Sequence, residues 1–223
     1  MKAYFVSGLG ADKRIFSKLK LNPSIEIVHL EWIDPEKSET LRNYAKRLSS
    51  IINDSQPFAL VGVSFGGMIA VEIAKMLNPI CTIIISSTLF SDDLPLLYRL
   101  AGKLQLIKII PSWLIKSSNQ ITRNFFFGTK SKTEKKLLSM IIKDTDHKFL
   151  KWAIGSILSW KNNQKPERLY HIHGSKDKIL YSKNARPDFV INNGTHFMVY
   201  QHAEEISAII NKLVIEENII TSQ

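Results

Sequence analysis

The amino-acid sequence predicts an α/β fold: a doubly wound, mostly parallel sheet of about six strands with an inserted helical cap. Three observations lead to this prediction. Apolar runs of strand length alternate with segments of helical periodicity along most of the chain. Several of these runs are continuous and rich in valine and isoleucine, which is typical of strands covered on both faces. One central stretch breaks the alternation, and a chain of 223 residues has room for one domain with such an insertion.

Six segments have the length and composition of buried strands. Each is a short apolar run bounded by residues that favour turns. The predicted strands are residues 3–7, 25–30, 58–63, 80–86, 168–173 and 188–192.

Helical segments separate these strands at residues 40–52, 66–77 and 203–215. The first has an apolar stripe at helical spacing, formed by Leu41, Tyr44, Ala45, Leu48, Ile51 and Ile52. Alternation of strands and helices predicts a parallel sheet with helices on both faces. The polar end of the chain, residues 216–223, is predicted to be a frayed tail.

Residues 88–165 are rich in leucine and in other helix-forming residues, and long strand-like runs are absent from them. We predict a cap of about four helices, inserted between the fourth and fifth strands and interrupted at Pro111 and Gly128. The core is then formed by residues 1–87 and 166–223, and the cap is not an independent domain.

A glycine-flanked serine follows the third predicted strand, in the stretch Gly62-Val63-Ser64-Phe65-Gly66. A helix follows at once. A sharp strand-to-helix turn lifts a serine hydroxyl clear of the sheet, and it needs small neighbours because strand and helix approach closely there. The pattern therefore predicts a nucleophilic Ser64. The alternative is a glycine-rich turn without chemistry.

A serine nucleophile needs a base and an orienting carboxylate. His196 follows the last predicted strand and Asp177 follows the fifth, so both belong to the same sheet edge as Ser64. They are the predicted base and acid. Asp188 is the alternative acid, although it begins a strand at the opposite edge. His173 is expected to shape the Asp177 loop by hydrogen bonding.

Two backbone N–H groups are candidates for an oxyanion hole, those of Phe65 and Leu9. The glycines on either side of Leu9, Gly8 and Gly10, allow the backbone to approach a ligand closely. We predict that both glycines and Phe197, the residue after the predicted base, contact substrate.

Four motifs occur in a fixed order: Gly8-Leu9-Gly10 followed by residues 12–16, the Ser64 turn, His-Gly-x-x-Asp ending at Asp177, and Gly-x-His-Phe containing His196. In these the chain resembles the α/β-hydrolase superfamily, in particular its small capped esterase-like members, over residues 1–87 and 166–215. The resemblance implies a strand order of 2-1-3-4-5-6. The chain departs from the family in having Ser7 where a histidine usually precedes the first glycine, and in the short spacing between Asp177 and His196.

The resemblance implies a serine hydrolase that acts on an ester or thioester of a small acyl substrate through an acyl-enzyme. Carbon–carbon bond hydrolases and lyases of the superfamily share this triad, and a non-hydrolytic receptor on the same scaffold is the rival from another class. No metal or cofactor is expected, because paired cysteines, H-E-x-x-H and a phosphate loop are absent from the sequence.

Charge and cysteine content bear on partners and location. Residues 88–165 hold 14 Lys/Arg against 5 Asp/Glu, a net charge of +9, whereas the whole chain carries +10. This excess is explained either by a solvated lysine surface or by attraction of an anionic substrate, carrier protein or membrane. Lysine outnumbers arginine 23 to 7, and no nucleic-acid motif accompanies the charge. No run has the roughly 18 apolar residues of a membrane span. With a single cysteine, Cys81, a cytoplasmic location is expected.

Overall fold

The computed structural model describes residues 1–111 and 119–221. Its centre is one six-stranded sheet in which every neighbouring pair is parallel. The strands are β1 (Lys2–Val6), β2 (Glu26–Leu30), β3 (Phe58–Val63), β4 (Cys81–Ile85), β5 (Leu169–Gly174) and β6 (Phe189–Ile191). Their order, β2-β1-β3-β4-β5-β6, confirms the predicted order.

The strand register aligns the carboxyl ends of the central strands along one edge of the sheet. Val6 at the end of β1 lies opposite Leu30 of β2 and Gly62 of β3, and Val63 lies opposite Ile85 of β4. All residues of β3 and β4 are buried, since helices cover both faces. Loops that leave these strands therefore meet at one edge of the sheet.

Helix α1 (Leu41–Ser49) lies between β2 and β3, and helix α2 (Phe65–Ala74) follows β3. Thr40 caps α1 by accepting a hydrogen bond from the Asn43 N–H at 3.2 Å. Both helices end three residues before their predicted ends. Apart from Glu72, helix α2 is apolar, and it is buried over most of its length.

Four helices of the described chain lie between β4 and β5: α3 (Leu96–Lys103), α4 (Gln120–Phe127), α5 (Lys132–Asp144) and α6 (His147–Ser159). Gly128 ends α4 with a φ of +70°, as the predicted break requires. The predicted break at Pro111 lies at the last residue before the gap in the described chain.

The segment between β4 and β5 packs on α1 and α2 through two tryptophans, one in α6 and one at its C-terminal end. The Trp152 ring lies 4.4 Å from the Tyr44 ring, centroid to centroid, and its indole N–H donates to Glu39 O at 2.9 Å. The Trp160 indole N–H donates to the buried Glu72 carboxylate at 2.8 Å. These contacts join the insertion to α1 and α2.

Three helices follow β5: α7 (Ser182–Ala185), α8 (Met198–Gln201) and α9 (Ala203–Thr221). For residues 216–221 the predicted frayed tail is wrong, because α9 continues to Thr221, and residues 222–223 lie outside the described chain. Glu217 is buried and accepts a hydrogen bond from the Tyr170 hydroxyl of β5, which anchors the last turns of the helix. Within the described ranges, none of the helices has both the length and the apolar composition that crossing a membrane requires.

Candidate active site

Ser64 occupies a strained turn between β3 and α2. Its φ is 54° and its ψ −118°, a conformation that costs a residue with a side chain about 1–3 kcal/mol. A Cβ atom on Gly62 would overlap the backbone of Gly66, and one on Gly66 would overlap Ser7 O. The Ser87 hydroxyl donates to Ser64 O at 2.7 Å. Only glycine fits at both positions, and this crowding holds the turn in place.

The structure brings the three residues predicted to form the triad together. His196 Nε2 lies 2.9 Å from Ser64 Oγ, and His196 Nδ1 lies 2.8 Å from Asp177 Oδ2. Because the carboxylate only accepts, Nδ1 carries the hydrogen and Nε2 is free to accept from the serine hydroxyl. His196 and Asp177 are both buried.

Asp177 is held by hydrogen bonds on both carboxylate oxygens. Oδ1 accepts from the N–H groups of Ile179 and Leu180 at 2.8 and 2.9 Å, while Oδ2 faces His196 and, at 3.3 Å, His173 Nε2. Burial opposes ionisation of this carboxyl. The charge of His196 and hydrogen bonds from both histidines outweigh burial, so that the pKa of Asp177 lies well below its usual range. The group is a carboxylate at neutral pH.

Asp188, the alternative acid, lies elsewhere. Its carboxylate accepts from the backbone N–H of His171 in β5 at 2.7 Å. This contact joins β5 to the segment before β6.

A pair of buried histidines stands behind Asp177. His173 Nε2 lies 2.6 Å from Leu180 O, so His173 contacts the Asp177 loop as predicted. His173 Nδ1 lies 3.0 Å from His171 Nε2, and His171 Nδ1 lies 3.1 Å from Ala185 O. Two neutral rings carry only two hydrogens, so at most two of these three contacts are hydrogen bonds while both histidines are neutral. Burial and the neighbouring His173 lower the pKa of His171 to about 3.

The two predicted oxyanion donors border the same cavity as Ser64. Leu9 and Phe65 both line it, and Phe65 is the first residue of α2, where helix N–H groups are free. Neither backbone N–H donates a hydrogen bond to another residue of the described chain. A Cβ built on Gly8 would lie 3.4 Å from Ser64 Cβ, so the loop passes close to the serine.

Two of the three residues that were predicted to contact substrate line the cavity. Gly8 and Phe197 line the cavity, whereas Gly10 lies outside its lining. Gly10 has a φ of +68°, and its carbonyl accepts from the Thr145 hydroxyl at 2.7 Å. This glycine therefore joins the first loop to the end of α5.

The cavity beside Ser64 and His196 has a volume of about 440 Å³ and an apolar wall. None of its described lining residues is Asp, Glu, Lys or Arg. The insertion supplies much of the wall, including Leu138, Ile141, Ile142, Ile154, Ile157 and Leu158.

Sequence reasoning missed these aliphatic residues and considered the aromatic ones of the insertion instead. Of those, Phe127 lines the cavity, while Phe125 and Phe126 are exposed. Trp152 and Trp160 pack on the core. The helical spacing of the isoleucines signals an apolar face, but it does not say which surface that face meets.

The parallel sheet, its strand order and the serine turn at its carboxyl edge define the class: the chain has the α/β-hydrolase fold. It is similar to the lipase-esterase related protein from Clostridium acetobutylicum, with 16% identity, a TM-score of 0.68, and coverage of 95% of this chain and 93% of that one. It is also similar to MenH from S. aureus, with 14% identity, a TM-score of 0.68, and coverage of 98% and 94%.

A third similar structure is Est816, described as an N-acyl homoserine lactone degrading enzyme, with 14% identity, a TM-score of 0.66, and coverage of 95% and 92%. No protein-family model matches the chain, and no curated protein matches it in sequence.

Proposed function

We propose that the protein is a serine hydrolase that cleaves an ester or thioester of a small, apolar acyl group. The observation that carries this proposal is the hydrogen-bond chain from Ser64 through His196 to Asp177 at the wall of an apolar cavity. In this proposal residues 1–87 and 166–223 supply the catalytic groups, and residues 88–165 form a cap that encloses the acyl group.

Ser64 Oγ attacks the carbonyl carbon while His196 Nε2 takes the hydroxyl proton. The negative charge that develops on the carbonyl oxygen is stabilised by the N–H groups of Leu9 and Phe65. His196 then gives its proton to the leaving alcohol or thiol, and the acyl group stays on Ser64. A water molecule, deprotonated by His196, attacks the acyl-enzyme and releases the acid. Asp177 stabilises the imidazolium in both steps.

The cavity wall supports an apolar acyl group. Its volume lies within the range of about 300–1,000 Å³ that is usual for small-molecule sites. A charged acyl group would lose its hydration without gaining a charged partner among the described lining residues. A polar or charged part of the substrate therefore belongs to the leaving group.

The buried, unpaired Cys81 supports a reducing, cytoplasmic setting. Burial raises the pKa of its thiol to about 12, so the thiol stays protonated and unreactive.

The experiment is a panel of esters and thioesters with linear acyl chains of increasing length. We expect hydrolysis that favours apolar chains up to the length the cavity holds, and a loss of about 10⁴-fold or more in Ser64→Ala. Ser50→Ala, at the exposed end of α1, is the matched control and keeps full activity.

A fluorophosphonate probe separates this proposal from its rivals. Labelling at Ser64 without hydrolysis of any ester or thioester would point to carbon–carbon bond cleavage. Failure to label Ser64 in the folded protein would instead favour a binding protein on the same scaffold.

A further inference from the structure

Helices α3 and α4 each expose several apolar side chains. Single exposed apolar residues are common in soluble proteins, but groups of them mark contact surfaces. The exposed fractions reach 76% at Leu97, 69% at Leu104 and 76% at Ile121. We define the leucine–phenylalanine patch as Leu96, Leu97, Leu100, Leu104, Ile121, Phe125 and Phe126, all of which are exposed.

The spacing of these residues makes the patch a continuous face of each helix. Leu96, Leu100 and Leu104 follow one another at intervals of four, and so do Ile121 and Phe125. Residues four apart are neighbours on a helix surface. Other residues of the same two helices, among them Ala101 and Phe127, line the active-site cavity. Both helices therefore border the cavity and also present apolar side chains to the outside.

The sequence around the patch is basic. Residues 91–136 contain nine Lys/Arg against three Asp/Glu, a net charge of +6. Arg99 and Lys103 are exposed on α3 among the leucines, and Lys130, Lys132 and Lys136 are exposed after α4. Of these acids, Glu134 accepts hydrogen bonds from Gln201 and the Lys130 N–H and so faces its own fold.

We propose that the leucine–phenylalanine patch docks the protein on the surface of an anionic lipid bilayer. The apolar side chains enter the boundary between headgroups and acyl chains, and Arg99 and Lys103 contact the anionic headgroups. This combination of apolar face and flanking cations is the one that interfacial helices use. Helix α3 has eight residues, which is too short to cross a bilayer, so in this proposal it lies in the plane of the membrane surface.

Two other occupants fit the patch less well. A second copy of the chain would bring like charges together across the contact, which is unfavourable. An acidic protein partner would need a groove shaped to the exposed leucines, whereas a lipid surface adapts to any convex apolar face.

The test is co-sedimentation of the full chain with vesicles of phosphatidylcholine alone or mixed with phosphatidylglycerol. We expect binding to the anionic vesicles that weakens as salt rises from about 0.1 M to 1 M. Arg99→Glu with Lys103→Glu should lower vesicle affinity by about tenfold or more, since each cation near such a surface contributes about fivefold.

Leu97→Asp with Leu104→Asp should also lower vesicle affinity by about tenfold or more. Both residues lie outside the cavity lining, so this variant keeps wild-type hydrolysis of a soluble short-chain ester and a native circular dichroism spectrum. The matched control is Ile51→Asp, an exposed position beyond the end of α1, which binds vesicles like the wild type.

Equal binding to neutral and anionic vesicles would overturn the proposal, as would wild-type affinity in the Leu97→Asp, Leu104→Asp variant. Light scattering measures whether the protein is a dimer in solution. A dimer that dissociates in this variant would assign the patch to a second copy of the chain.

Discussion

Asp177 follows β5 and Asp188 precedes β6, and the two carboxylates have different surroundings. Asp177 lies against His196 and receives two backbone N–H groups, whereas Asp188 receives the backbone N–H of His171. The assignment of the acid rests on this difference.

We expect Asp177→Asn to lower kcat/KM by about 10⁴-fold, because an amide in place of the carboxylate favours the wrong tautomer of His196. Asp188→Asn is the matched control and should retain most of the activity. The measurement is steady-state hydrolysis of the best ester of the panel. Near-normal activity of Asp177→Asn together with an inactive Asp188→Asn would reverse the assignment.

His171 makes stability depend on pH. Its folded-state pKa of about 3 lies below the ordinary value of 6.5, so between these values the unfolded chain binds a proton that the folded chain excludes. The free energy of unfolding should therefore fall as pH decreases from about 6.5, by at most about 1.4 kcal/mol per pH unit for this residue. The stabilisation that comes from the low pKa of Asp177 is lost only when pH falls below about 4, the ordinary pKa of a carboxyl group.

His171→Gln should remove this part of the slope when urea unfolding is measured from pH 6.5 to 4.5. His147→Gln, at a position whose side chain is 44% exposed, is the matched control. Since burial also lowers the pKa of His29, some slope remains in both variants. An unchanged slope in His171→Gln would show that the buried pair takes up a proton as readily as the unfolded chain.

The close approach of Ser64, Asp177 and His196 was predictable from sequence, because each follows a parallel strand and such strands end at one edge. The pairing of His171 with His173 follows from strand alternation, which places both on one face of β5. The position of Gly10 was not predictable. Its neighbour Thr145 comes from the insertion, and sequence separation does not specify that contact.

At the scale of elements, the strands were predictable because each is a buried apolar run whose composition reflects its surroundings. The last turns of α9 were not, since residues 216–218 are polar and resemble a tail. Their order depends on one buried carboxylate that bonds to a tyrosine in β5.

We expect Glu217→Ala to lower the free energy of unfolding by about 1–3 kcal/mol, because the Tyr170 hydroxyl loses its partner. For a chain of this size that corresponds to a fall in Tm of roughly 2–4 °C for each kcal/mol. Glu216→Ala is the matched control, because this neighbour is exposed. The measurement is thermal unfolding followed by circular dichroism. Equal Tm values for the two variants would contradict the role of Glu217 in anchoring the end of α9.

Among the described residues between β4 and β5, the helices were predictable in number and general place. The orientation of these helices was not predictable, because an apolar stripe indicates that a helix packs against another surface but does not identify that surface. The isoleucines of α5 and α6 face the cavity, while the leucines of α3 face outward.

At the scale of the whole molecule, most of the excess positive charge lies in residues 88–165. If this field attracts an anionic substrate, kcat/KM for an ester with a negatively charged leaving group should fall as salt rises. A neutral ester of similar size should hardly respond. Charge reversal at Lys130, Lys132, Lys135 and Lys136 should reproduce the effect of salt. Parallel salt curves for the two esters would leave these lysines without a part in substrate capture.

The wall of the cavity also affects how a turnover ends. Ester hydrolysis converts a neutral acyl group into a carboxylic acid, which ionises at neutral pH. The described lining offers this anion no lysine or arginine, and Asp177 behind His196 repels it. If the proposed hydrolysis takes place, the ionised acid should leave the cavity readily, and inhibition by product should be weak at pH 8. It should strengthen toward pH 5, where a growing share of the acid is neutral and again resembles the substrate.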